Sequence, residues 1–202
     1  MEAQKTSASE LEKWFRSDAQ FHHLYPRNIQ LLARTHWTPL LVVQSAVNFL
    51  TPYEGVNVLD IGSGVGKFCL AAAYYRPTAN FFGVEQRKNL VAHAEFARKV
   101  LGLQNAHFIF QNFAQLDMSQ YDHFYFYNSF YENLADSDQI DDTVDHSCEL
   151  YNYYKSQFFR KFEKMPRGTR LVTFHSLDDK IPPSYKLIDA KFESQLRFWM
   201  KI

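Results

Sequence analysis

The sequence predicts an α/β fold: a doubly wound, mostly parallel seven-stranded sheet with an antiparallel C-terminal hairpin and an N-terminal helical extension. Three observations carry this. From residue 56 to residue 174, short apolar runs alternate with helical patterns. The first run leads into Val58-Leu59-Asp60-Ile61-Gly62-Ser63-Gly64-Val65-Gly66, an acid followed by three glycines at alternate positions. The last two runs, residues 185–190 and 195–202, are joined by a link too short and polar to hold a helix, which permits only a hairpin.

Taken in order, the elements begin with helices. Ser9 and Glu12 have capping-box spacing ahead of Leu11, Trp14 and Phe15, which predicts a short helix there. Residues 27–35 form a second candidate, after Pro26. Thr38 and Pro39 make a helix start, a hydroxyl at the N-cap and proline at the first helical position. That helix runs through Leu41, Val42, Ala46 and Leu50, and Pro52 ends it. Residues 56–61 then read as a buried strand, and residues 67–75 as an alanine-rich helix stopped by Pro77. Residues 80–84 are a strand. Residues 87–101 are a helix with Leu90, Val91, Ala94 and Ala97 on one face, closed by Gly102. Residues 106–111 and 123–127 are strands, 146–164 a helix, and 169–174 a strand. This divides the chain into an N-terminal helical cap, residues 1–50, and an α/β domain, residues 51–202.

Composition narrows the class. The 202 residues are 46% hydrophobic, enough for one domain with a full core. The formal net charge is zero, so nothing global points to nucleic acid. No apolar run approaches the roughly 20 residues that span a bilayer, and residues 1–10 are polar with no signal-peptide core. A soluble cytoplasmic protein is the expectation. Cys69 and Cys148 lie far apart and read as reduced, packed thiols. The histidines show no ligand spacing, since the adjacent His22 and His23 do not share a helix face, so no metal site is expected.

The glycine loop sets three physical conditions. The chain must turn sharply after the strand, its backbone must approach a ligand closely, and the next helix must present free N–H groups to something polar or negative. Gly62, Gly64 and Gly66 serve the first two, and the helix from Lys67 the third. Ser63 lies within the loop, and Asp60 can fix it or reach the ligand. Glu85 ends the second strand, with Gln86 beside it, where a carboxylate accepts hydrogen bonds from ribose hydroxyls. The spacing is GxGxG rather than the dinucleotide GxGxxG, which disfavours a pyrophosphate-bearing cofactor.

On these residues the chain resembles the class I S-adenosylmethionine-dependent methyltransferases. Residues 60–66 match that family's first motif, and Glu85 in Gly83-Val84-Glu85 matches its ribose-binding acid. Asn112 matches the polar residue that meets the adenine amino group, with Phe113 beside it where the family often has alanine. The resemblance covers roughly residues 38–202 and implies the seven-stranded sheet, S-adenosylmethionine as cofactor, and methyl transfer as activity. Two rival readings remain, a dinucleotide-dependent oxidoreductase and a non-catalytic subunit that retains the cofactor.

The acceptor is read from the end of the fourth strand, where Asn128-Ser129-Phe130-Tyr131-Glu132 should face the methyl group. An Asn carboxamide can accept a hydrogen bond from an amine and aim its lone pair at the methyl carbon. Aromatic rings beside it can bind a cation or a flat substrate. Asn128 and Tyr131 are the catalytic candidates, and Asn128 also a cofactor contact. The segment lacks both prolines of the DNA adenine-N6 methyltransferase motif. Asn128-Ser129-Phe130 is similar to the Asn-Asn-Phe of non-SET histone-lysine methyltransferases. No Lys or Arg occurs between Lys99 and Lys155, while Asp136, Asp138, Asp141, Asp142 and Asp145 crowd the loop beyond. Such a loop repels phosphate, so the expected partner is cationic or amine-bearing, a basic protein or a small molecule, with nucleic acid and membrane disfavoured. Thr38 remains open between a mere N-cap and a cofactor contact.

Overall fold

The computed structural model describes residues 8–130, 140, 147–176 and 181–202. Five helices precede the sheet: α1 (Ala8–Trp14), α2 (Asp18–His22), α3 (Arg27–Gln30), α4 (Ala33–His36) and α5 (Leu40–Leu50). The strands are β1 (Asn57–Ile61), β2 (Asn80–Glu85), β3 (Ala106–Phe110), β4 (His123–Tyr127), β5 (Arg170–Phe174), β6 (Tyr185–Lys191) and β7 (Leu196–Lys201). Helices α6 (Lys67–Tyr75), α7 (Lys88–Leu101) and α8 (Cys148–Glu163) connect them, with a 3₁₀ turn at Phe113–Gln115.

The seven strands form one sheet in the order β3-β2-β1-β4-β5-β7-β6. Neighbours from β3 to β5 are parallel, and β7 is antiparallel to both β5 and β6. The expected doubly wound sheet with its C-terminal hairpin is therefore what the chain forms. Chain order reverses between β1 and β4, and ligands of open α/β sheets bind at the strands' carboxyl ends beside such a reversal.

Alternate strand residues face two cores, as the pleat requires. Val58, Phe81, Tyr125 and Val172 pack with α5, α6 and the N-terminal helices. Leu59, Ile61, Phe124, Phe126 and Leu171 pack with Phe158 and Phe162 of α8. Phe15 stacks on Tyr74 at 4.1 Å, which ties the chain just after α1 to α6.

Several starts and stops differ from the sequence reading, each for a local reason. Ser9 and Glu12 lie inside α1, so the capping box does not form there. The segment 27–35 breaks into α3 and α4 rather than one helix. Thr38 is not the N-cap of α5; Pro39 is, with φ −61° and ψ 144° and no side-chain cap bond. The Thr38 hydroxyl is instead bonded to the buried Tyr125 hydroxyl at 3.0 Å. Helix α8 starts at Cys148, where the Ser147 hydroxyl accepts the Leu150 N–H at 3.1 Å. Gly102 caps α7 in the left-handed conformation, as its sequence position implies. Cys69 is buried, but Cys148 at the start of α8 is exposed rather than packed. No helix among the described residues is long and apolar enough to cross a membrane.

Candidate active site

A cleft of about 450 Å³ opens at the carboxyl ends of β1, β2 and β4. Asp60, Gly62, Ser63, Gly64, Glu85, Gln86, Asn112, Phe113, Asn128 and Thr38 all line it. Gly66 does not. Its φ of 82° is left-handed, and a Cβ there would run into the Phe108 ring and lie 2.9 Å from Ala94 Cβ. Gly66 thus lets α6 approach β3 and α7 closely. Tyr131 and the acidic positions Asp136, Asp138, Asp141, Asp142 and Asp145 lie outside the described residues.

Glu85, not Asp60, fixes the glycine loop. One Glu85 oxygen accepts the Gly64 N–H at 3.1 Å, and the other accepts the Arg87 N–H at 2.8 Å. The Gly62 and Ser63 N–H groups bond the Val84 carbonyl at 2.9 and 3.0 Å, so the loop folds back over the end of β2. Asp60 is buried, and burial together with the nearby Glu85 charge raises its carboxyl pKa well above the ordinary range. The Cys69 thiol donates to it at 3.8 Å.

Asn112 sits in a small polar network. Its Oδ1 accepts the Ala114 N–H at 2.9 Å, and its Nδ2 donates to the Tyr154 hydroxyl at 2.7 Å and to Gln86 Oε1 at 3.2 Å. The amide orientation is fixed by these bonds, leaving the second Oδ1 lone pair for a donor such as an exocyclic amine.

The loop after β4 is anchored rather than open. Ser129 Oγ donates to the Ile61 carbonyl at 2.8 Å, tying it to the end of β1. Asn128 stands at φ 34°, outside the usual range for a residue with a side chain. Phe130 is buried, with its ring centroid 4.8 Å from Phe126 and 5.5 Å from Tyr154, and it belongs to the core. It packs chiefly in the core while also lining the cleft.

Sequence reasoning missed two sets of residues. The first joins the N-terminal helices to the glycine loop. Lys67, buried in the first turn of α6, is ion-paired with Asp18 and lies 3.3 Å from His22 Nε2. Asp18 also accepts the Leu40 N–H at 3.1 Å, and the Tyr25 hydroxyl donates to the Val65 carbonyl at 3.0 Å. Burial lowers the Lys67 pKa, opposed by the Asp18 hydrogen bond and charge. The second set is Tyr127 and His175, the last residue of β4 and the first after β5. Their ring centroids are 5.7 Å apart, and Phe174 lies 4.8 Å from Tyr127. The Tyr127 hydroxyl donates to the Thr35 carbonyl at 2.9 Å, which brings Arg34 and His36 to the same mouth. Spacing gave no signal for either set, because contacts such as Lys67–His22 and Tyr127–Thr35 join residues 45 and 92 positions apart.

Residues 53–185 match the family described as the methyltransferase domain. The chain belongs to that family. The match is to a methyltransferase domain, which speaks against the dinucleotide-dependent oxidoreductase reading. Among solved structures it is similar to an RNA methyltransferase from Salinibacter ruber in complex with S-adenosyl-L-homocysteine. That likeness has a TM-score of 0.58 and 22% identity, over 82% of this chain and 93% of that one. It is also similar to magnesium protoporphyrin IX methyltransferase from Synechocystis PCC 6803 with bound S-adenosylmethionine. There the TM-score is 0.59 and the identity 17%, over 98% and 100% of the two chains. At these identities the likeness concerns the fold. By sequence it is 54% identical over 54 residues to a tRNA (guanine-N(7)-)-methyltransferase of Synechococcus sp. strain JA-3-3Ab, 27% of this chain and 23% of that protein. A second protein so named, from Nostoc sp. strain PCC 7120, is 35% identical over 86 residues, 43% of this chain and 39% of that one. The chain therefore spans less than half the length of these relatives.

These relatives overturn one expectation. Nucleic acid was disfavoured as a partner, and a cationic or amine-bearing acceptor preferred, from the acidic positions beyond Asn128; the relatives are tRNA methyltransferases. The physical error was to let charges in one loop stand for the mouth of the cleft. The side chains that line its described part include Arg34, His36 and His175.

Proposed function

We propose that this methyltransferase transfers its methyl group to a nucleobase of an RNA. The observation that carries the proposal is the Tyr127 and His175 ring pair at the mouth of the cleft, with Arg34 and His36 across the Tyr127–Thr35 hydrogen bond. Flat rings hold an unstacked base, and a cationic side chain such as Arg34 holds its phosphates. The names of the similar tRNA methyltransferases support the same reading, and we infer that the protein acts in the cytoplasm.

The site residues take these roles. Glu85 receives the ribose hydroxyls, Asn112 Oδ1 the adenine amine, and the loop of Gly62, Ser63 and Gly64 lies against the cofactor, with Asp60, Gln86 and Phe113 on its walls. Thr38 acts chiefly through Tyr125, setting the wall behind the methyl group. Asn128, at the end of β4, positions the acceptor. When bound, S-adenosylmethionine would supply an electrophilic methyl group on sulfonium sulfur, which a base nitrogen positioned by Asn128 would take up through its lone pair, the C–S bond pair staying with sulfur. A ring nitrogen such as guanine N7 holds its lone pair in the plane of the ring and needs no proton removed. An exocyclic amine must shed a proton after attack. Burial lowers the pKa of His175, so its ring is neutral at neutral pH and able to stack without charge.

The test is transfer of labelled methyl groups into total RNA, followed by digestion and mass spectrometry of the nucleosides. A methylated base should appear, and Asn128→Ala should lower kcat by roughly a hundredfold, the cost of losing one well-placed polar contact in the transition state. Label in protein with none in RNA would sink the proposal.

A further inference from the structure

A second cavity, of about 750 Å³, lies at the opposite edge of the sheet, where β4 and β5 begin. His123 and Arg170, the first residues of those strands, both line it. Along β4 it is separated from Tyr127 and the cleft by about 13 Å, four residues at the usual strand rise. It belongs to neither the cofactor nor the acceptor end of the active site.

Its lining is cationic. Lys161, Lys164, Arg167 and Arg170 face two acids, Asp117 and Asp122. Both acids are bonded within the chain: Asp117 accepts the Ser119 N–H at 3.0 Å, and Asp122 accepts the Asn57 N–H at 2.8 Å. Lys161 donates to the Leu116 carbonyl at 2.6 Å, and Arg170 to the Phe49 carbonyl at 2.7 Å. Lys164 and Arg167 are exposed, and their side chains make no hydrogen bond or ion pair among the described residues.

Two buried polar groups of the lining lack partners, His123 Nε2 and Thr169 Oγ1. The geometry says what the first of them is. His123 Nδ1 accepts the Arg170 N–H at 3.1 Å, so the proton of the neutral ring sits on Nε2. Burial, then the Arg170 charge, pushes the His123 pKa down to about 4, which keeps the ring neutral at neutral pH. Nε2–H is then a donor with no acceptor, a state that buried groups rarely keep. Tyr53, 55% exposed, stands edge-on to His123 at 6.1 Å and lines the same cavity. Two cations without partners, two unpaired polar groups able to donate, and acids already engaged suit phosphate oxygens. They do not suit a cation or an apolar ligand.

We propose that this cavity binds a backbone phosphate of the same RNA whose base enters the cleft, with Lys164 and Arg167 as the principal contacts. The inference rests on the RNA reading given above. Phosphate contacts fix register without reading sequence, and a folded RNA easily spans two sites on one small domain. The site would set which RNA is held and in what orientation, while the cleft performs the transfer.

The experiment uses the whole chain loaded with S-adenosylhomocysteine and a tRNA-sized transcript, followed by fluorescence anisotropy at several salt concentrations. Lys164→Glu combined with Arg167→Glu should weaken RNA binding by roughly tenfold and reduce the log–log salt slope by about 1, the counterion release of one phosphate. S-adenosylmethionine affinity and kcat at saturating RNA should not change, so the loss appears in KM. A control with the same charge change, Lys99→Glu with Lys186→Glu on other exposed positions, should leave affinity within about threefold. If the parent chain methylates RNA and the Lys164/Arg167 variant keeps its KM, the second site is wrong and the acceptor reading stands. If the parent chain methylates no RNA, the acceptor reading itself has failed. If millimolar inorganic phosphate raises the melting temperature of the parent chain but not of the variant, while RNA binding is equal in both, the cavity serves a small anion and the RNA assignment is overturned.

Discussion

On the β1–β2 side of the cleft the walls are mostly backbone: the loop of Gly62, Ser63 and Gly64, held by Glu85 and folded against the Val84 carbonyl. On the β4–β5 side they are side chains, Tyr127, Asn128 and His175, met by residues 34–38 from a segment far away in the chain. The first side is a local structure of some thirty residues whose conformation dictates glycine at set places. The second is a meeting of distant segments in which many residue types would fit the backbone. In the proposed function, the cofactor lies against the first wall and the RNA base against the second.

The largest expected effect tests whether the first side depends on backbone geometry. Gly66→Ala places a side chain at φ 82° against Phe108 and Ala94. The left-handed conformation costs ~1–2 kcal/mol and the overpacking ~1–3 kcal/mol, so stability should fall by about 3 kcal/mol in denaturant titration. Gly55→Ala isolates the first of these, because Gly55 stands at φ 75° with nothing within 4 Å of the added carbon. Equal losses in the two variants would show that close packing at Gly66 contributes nothing.

Next in size is Glu85→Gln. The variant loses the charge and one of the two oxygens that hold the Gly64 and Arg87 N–H groups. S-adenosylmethionine affinity should fall by about 2 kcal/mol, roughly thirtyfold in Kd by calorimetry. The RNA KM at saturating cofactor should not move. A comparable rise in that KM would mean the two walls are coupled, and the contrast between them would fail.

The same contrast explains what the sequence made legible. The sheet, its hairpin, the glycine loop and Glu85 all follow from local patterns: apolar period, turn chemistry, and a carboxylate at a strand's end. Gly66 belongs to the loop as its spacing implied, but its closest neighbours are Phe108 and Ala94, because spacing shows that glycine is needed and not which neighbour demands it. Thr38 shows the limit of capping rules, since its hydroxyl meets Tyr125 across the fold instead of the helix it precedes. Lys67 with Asp18, and Tyr127 with Thr35, are pairings of distant segments that no window of sequence contains. The acidic run beyond Asn128 misled for a related reason: charge counted along the chain does not give charge arranged around a mouth.

The smallest effect tests the second wall most directly. His175 stands at φ 49°, so alanine there would mix backbone strain with loss of the ring. Asparagine tolerates that conformation and removes only the ring, which makes His175→Asn the cleaner variant. Loss of one stacking partner should cost about 1 kcal/mol, a rise of roughly fivefold in RNA KM with S-adenosylmethionine Kd unchanged. Tyr127→Phe keeps its ring and loses only the Thr35 bond, so its KM should rise less. Burial lowers the His175 pKa below the ordinary histidine value, so the neutral ring is the stacking form at and above neutral pH. The ratio of variant to parent KM should therefore be flat from pH 7 upward and change only on acidification. A ratio that shifts between pH 7 and pH 8 would mean that His175 acts through a proton rather than as a flat surface, and the second wall would then take part in the chemistry it was thought only to frame.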